Sequence, residues 1–136
     1  RKSPLDMSFP ERKSHIIRAS FLETADMDYV TARLTYHNGV FQNFYWSAAQ
    51  CIEKYLKAAL LYNEISTKNF GHKLNDLFQA YEAINPSAVG AHINMPGTTG
   101  MGREAWHAKP VSLFIDYINR YGSPDARYSL IGTYIN

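Results

Sequence analysis

Between Phe41 and Leu60, apolar residues recur in steps of three and four, at Phe41, Phe44, Tyr45, Ala48, Ile52, Tyr55, Leu56, Ala59 and Leu60. That spacing lays one wide apolar face along a helix and predicts a helix from about Val40 to Asn63. The other side gathers Gln50, Glu53, Lys54 and Lys57, so a core element also displays a compact polar group. Upstream, from about Ser14, the same period runs through Ile17, Phe21 or Leu22, Ala25, Tyr29, Ala32 and Tyr36, with Glu23, Asp26 and Arg33 off the stripe. Asn38-Gly39 closes that first helix, glycine being the residue that tolerates the left-handed conformation of a helix end. A third helix is expected from His72 to Ile84 on Leu74, Leu77, Phe78 and Tyr81, stopped by Asn85-Pro86. A fourth runs from Pro110, suited to a first turn, through Val111, Phe114, Tyr117, Ile118 and Tyr121 to Gly122.

The remaining segments show no sustained period. Residues 1–14 mix charge with Pro4 and Pro10 and are expected to form an N-terminal arm, ordered only when docked. Residues 86–109 contain four glycines, Pro96 and the run NMPGTTGMG, which predicts a long flexible loop. After Gly122, a turn at Ser123-Pro124-Asp125 leads to Arg127-Tyr128 and an apolar tail, and the chain is expected to be a trimmed or processed product. No credible strand pair is visible. Helices joined mostly by short links point to one all-α domain over 15–136, an antiparallel up-and-down bundle of four to five helices.

Composition narrows the function only slightly. A chain of 136 residues with 46% hydrophobic and 19% charged residues can bury a core without disulfides or metal. The net charge of +2 is compatible with nucleotide or nucleic-acid binding without demanding it. Cys51 is the only cysteine, which leaves no internal disulfide to form and suits a reducing, cytoplasmic location. No apolar run reaches the ~18–20 residues of a membrane span. Neither a cofactor nor a metal site is expected: His92 and His107 lack paired spacing on a helix, and the glycines from Gly97 to Gly102 fit no phosphate-loop pattern.

Several segments together resemble the HEPN domain family (higher eukaryotes and prokaryotes nucleotide-binding). They are Ala25, Asp28 and Ala32 on the first helix, SAAQCIEKYLKAALL on the second, Gly71-His72-Lys73-Leu74 at the start of the third, and the late Tyr121 with Arg127-Tyr128. The resemblance spans about residues 15–130 and implies an all-α bundle of HEPN type, usually dimeric, acting in RNA cleavage, toxin–antitoxin pairs or nucleotide binding. Cleaving members carry an arginine followed, after four to six residues, by a histidine. Here Arg33 precedes His37 by three intervening residues, and Arg103 precedes His107 by three. The resemblance is therefore to the non-cleaving branch.

Each candidate has a functional and a structural reading. Gln50, Lys54 and Lys57 are ligand-binding candidates, since cations on one rigid face attract phosphate. Alternatively the strip is a solvated face with an internal Glu53–Lys57 ion pair, or it contacts a partner subunit or the third helix. His72 is either a phosphate contact or proton donor at a helix start, or a hydrogen-bonding residue that fixes the turn. Arg127 binds phosphate or carboxylate, or pins the tail to Asp28 or another acid. Asp28, Glu53 and Tyr128 are read as structural polar residues, and Cys51 as a small core residue.

The expected function is thus a non-catalytic binding module, a homodimer recognising a nucleotide, an RNA or a protein partner. Its dimer contact would use surplus aromatics such as Tyr45, Trp46, Tyr62 and Tyr117. The alternative is a metal-independent toxin ribonuclease with a nucleotidyltransferase-like protein partner. It would use Arg33 with His37, or Arg103 with His107, the histidine as acid/base and the arginine on the phosphate.

Overall fold

The computed structural model describes residues 7–88, 90, 92–93 and 109–124. Helix formation starts earlier than the expected arm would allow. Ser8 caps α1 (Phe9–Ile17): its hydroxyl accepts from the Glu11 amide while the Glu11 carboxylate accepts from the Ser8 amide. This reciprocal capping box, with Pro10 in the first turn, satisfies two otherwise orphaned donors. A π turn at Arg18–Leu22 follows, closed by the Glu23 amide donating to the Arg18 carbonyl five residues back. The chain then continues as α2 (Glu23–His37). The extra residue of the π turn shifts the helical phase, so Ile17 and Ala25 both face inward, with Phe21 and Leu22 half-buried between them.

Gly39, at φ +71°, closes α2, and the Asn38 side chain donates to the Leu34 carbonyl at 2.7 Å. The short turn returns the chain as α3 (Phe41–Tyr62), the longest helix and the centre of the bundle. α2 lies along one side of it, and α4 (Leu74–Ile84) and α5 (Val111–Gly122) pack on the other. The hydrophobic core sits among α3, α4 and α5, where Leu60, Leu74, Leu77 and Ile118 are essentially sealed from solvent. Each such side chain contributes roughly 1.5–3 kcal/mol by burial.

Against α2, α3 presents the small residues Ser47, Cys51 and Ala58, matched by Ala25 and Ala32, so the two rods approach closely. α5 makes an even tighter crossing. A Cβ at Gly122 would stand 2.1 Å from the Tyr45 carbonyl oxygen and 2.9 Å from the Ala49 Cβ. Only glycine fits where the end of α5 rests on the α3 backbone. The fold is therefore the expected all-α bundle. One departure is a two-residue antiparallel pair, β1 (His92–Ile93) with β2 (Lys109–Pro110). Strands this short leave no period of two for sequence to reveal.

Candidate functional site

The polar group on α3 is not a solvated face. Glu53 is buried, with its side chain only 8% exposed, and its carboxylate accepts from two donors. Lys57 Nζ lies 3.2 Å from Oε2, and His72 Nδ1 lies 2.8 Å from Oε1. Helical spacing supplies the first partner. The second comes from the turn that leads into α4, where Gly71 at φ +56° lets the backbone reverse. A carboxylate taken out of water costs several kcal/mol unless paired and hydrogen-bonded, which these two donors provide. A carboxylate accepts only, so Nδ1 carries a proton; Nε2, the other ring nitrogen, accepts in the neutral ring and donates only when the ring is doubly protonated. The His72 side chain is 60% exposed.

Two further pairs tie α3 to α2. Lys54 Nζ donates to Asp28 Oδ2 at 2.6 Å, both side chains being about three-quarters covered. The Tyr55 hydroxyl donates to the Asp26 carboxylate. That bond, followed by partial burial and the Asp26 charge, pushes the Tyr55 phenol from 10.0 up to about 12. On the far side, the Tyr45 and Tyr117 hydroxyls meet at 2.7 Å, joining α3 to α5, and this bond with burial raises Tyr45 to about 12. Cys51 is buried on the α2 side of α3, near Asp28 and Asp26. Desolvation first, then the fields of Asp28 and Asp26, raises its thiol to about 11.

Two cavities differ in what they can recognise. A groove of about 520 Å³ beside Phe9, Ile16, Phe21 and Leu61 has almost wholly apolar walls. A cleft of about 380 Å³ opens where the turn before α4 meets the end of α5, and it is lined by Lys68, Gly71, His72, Lys73, Asn119 and Ser123. Two lysines, a histidine ring oriented by a buried carboxylate and the amino end of α4 converge there. No described carboxylate lines it. Asn119 Oδ1 accepts from the Leu74 amide at 3.4 Å, which fixes the α5 wall against the start of α4. The two lysines and the positive end of the helix dipole suit an anion, and the His72 ring adds a donor in its doubly protonated form.

Of the ligand candidates, His72 lies on this cleft, whereas Lys54 and Lys57 are engaged by Asp28 and Glu53, and Gln50 is half-buried on α3. Asp28 has Lys54 as its partner. Arg33 and His37 stand one turn apart on the exposed side of α2. The Arg33 guanidinium donates to the Tyr29 hydroxyl at 3.0 Å and sits 5.8 Å from that ring's centroid, while His37 meets Tyr36 edge-on. Arg103, His107, Arg127 and Tyr128 lie outside the described residues. Lys68 and Asn119 were not singled out by sequence, and Lys73 only as part of the Gly71–Leu74 segment, not as a site residue. The adjacency of Lys73 to His72 was a usable signal, while Asn119 gave none. Among the described residues no three metal-ligating side chains cluster, and no helix is long and apolar enough to cross a membrane.

The family model described as HEPN domain matches residues 19–94, more than half of the chain, from the π turn through α4 to the first short strand. No curated protein and no solved structure matches.

Proposed function

The chain belongs to the HEPN domain family, and we propose that it works as a homodimeric binding module that takes a nucleotide or RNA phosphate in the cleft beside His72. The observation that carries this reading is the 2.8 Å contact between His72 Nδ1 and the buried Glu53 carboxylate. It holds the imidazole in one orientation, and the doubly protonated ring, with Nε2 as a second donor, meets an anion alongside Lys68 and Lys73, which line the same cleft. A ring so fixed needs no reorientation to meet an anion once Nε2 is protonated, which favours recognition. In this reading Lys57 acts through Glu53, which holds His72, while Lys54 ties α3 to α2 through Asp28; neither is a phosphate contact.

Thermal-shift measurements with mono-, di- and triphosphate nucleotides and short RNAs test the proposal. A ligand of the folded state raises the melting temperature by mass action, and His72→Ala should abolish the rise. No shift with any of these probes would leave a protein partner as the ligand class. Labelled RNA incubated with the chain, in parallel with Arg33→Ala, addresses the ribonuclease alternative. Cleavage that disappears in that variant would displace the binding-only reading.

A further inference from the structure

We infer that the outward face of α2 is the interface between two copies of this chain, the two α2 helices packing antiparallel about Val30. The interface rests on the homodimer reading above and names the face that reading leaves open. α2 inverts the ordinary arrangement of an amphipathic helix. Its bundle side carries the small residues Ala25 and Ala32, both buried, while Met27, Val30 and Leu34 are 70%, 54% and 58% exposed. Each of the three lies two residues beyond an inward position (Ala25, Asp28 or Ala32), which is about 200° around a helix. They therefore form one stripe facing away from α3. Their steps of three and four are those of a helix–helix seam. Among the described residues α2 meets the bundle chiefly through α3 and the π turn, and the stripe remains more than half exposed. An apolar stripe of this kind marks an interaction surface.

Charge selects the occupant and its direction. The acids Glu23 and Asp26 lie in the first half of α2, and Arg33 and His37 in the second. An antiparallel pair centred on Val30 places Glu23 of one copy opposite His37 of the other, each about 10 Å from the centre. The same register sets Asp26 toward Arg33 and Met27 beside Leu34, and a twofold axis repeats every contact. A parallel pair would oppose like charges. Antiparallel helices also oppose their dipoles, so the second copy completes the apolar stripe and the polar flanks together.

Sedimentation equilibrium of the 136-residue chain, from micromolar to millimolar concentration, tests the interface. It is run beside Met27→Glu/Leu34→Glu and beside Val30→Cys in a Cys51→Ser background. Both seam positions are exposed, so circular dichroism should show the double variant folded. The wild type is expected to be a dimer and the double variant a monomer. Val30→Cys should cross-link on oxidation, while Gln79→Cys on the exposed side of α4, in the same background, should not. Glu23→Lys should weaken the dimer by about tenfold, and adding His37→Glu should restore it. A wild-type monomer throughout would overturn both the interface and the homodimer reading. A dimer that survives Met27→Glu/Leu34→Glu and resists cross-linking at Val30 would overturn this interface alone.

Discussion

His72 reaches back to Glu53, 19 residues earlier, and its Nδ1 stops 2.8 Å from that buried carboxylate. The contact ties the turn before α4 to the centre of α3. The same carboxylate that must be neutralised inside the bundle also orients the ring of His72, a residue that lines the cleft. Lys57 completes the neutralisation from within α3.

Removing the carboxylate should therefore be costly. Glu53→Ala leaves the largely covered Lys57 ammonium without its partner and is expected to destabilise the fold by ~3–5 kcal/mol. Glu53→Gln, which keeps an acceptor, should cost less. Urea denaturation followed by circular dichroism measures both, and a loss below ~1 kcal/mol for Glu53→Ala would place the pair among ordinary surface salt bridges.

Gly122→Ala tests the α3–α5 crossing. The added methyl meets the Tyr45 carbonyl backbone, which cannot swing aside as a flexible side chain would. Overpacking of this kind costs about 1–3 kcal/mol, with α5 displaced and the hydrogen bond between the Tyr45 and Tyr117 hydroxyls broken. The readout is the chemical-denaturation midpoint, against Gly39→Ala as a control in which strain comes from positive φ and not from a clash.

Alkaline pH should loosen the helix contacts made by tyrosine. Tyr55 and Tyr45 titrate near 10.0 when free and at about 12 in the fold. The folded state thus keeps protons that the unfolded state has released. Their stabilising contribution is fully present below pH 10 and declines as pH rises toward 12. Phenolate absorbance against pH should show late-titrating tyrosines that Tyr55→Phe and Tyr45→Phe each reduce.

Cys51 should be inert in the native chain. Its thiol is buried and raised from 9.0 to about 11, so little thiolate exists at neutral pH. A thiol reagent is expected to label it only after unfolding. Rapid labelling of the folded protein would show that α2 opens from α3 far more readily than this packing allows.

How much of this was legible in the sequence varies by residue. The span of α3, the Gly39 stop and the helical starts near Leu74 and Val111 followed directly from spacing. Of the predicted α3 stripe, however, only Leu56 and Leu60 are buried, while Phe41 and Tyr55 are exposed and Ser47, Cys51 and Ala58 are buried against α2 instead. The inward face of α2 was half legible. Ala25 and Ala32 do face the bundle, but Tyr29 and Tyr36 on the same stripe are exposed. A close helix approach selects small residues, so size, not hydrophobicity, marked the buried side. The capping box at Ser8 and Glu11 was readable but obscured by the surrounding charge and proline. Whether Glu53 is solvated could not be read, since its cover comes from a turn far along the chain. The register that puts Gly122 against Tyr45, and Asn119 against the start of α4, exists only once three helices have packed.

The most direct test is isothermal titration calorimetry of the chain with inorganic phosphate and nucleoside mono-, di- and triphosphates, repeated on His72→Ala and Lys73→Ala. A phosphate-receiving cleft predicts measurable binding of at least one of these anions, weakened about tenfold or more in both variants, equivalent to ~1.4 kcal/mol, with the fold retained. Anion binding that is unchanged in both variants, or no binding by the wild type, would contradict it.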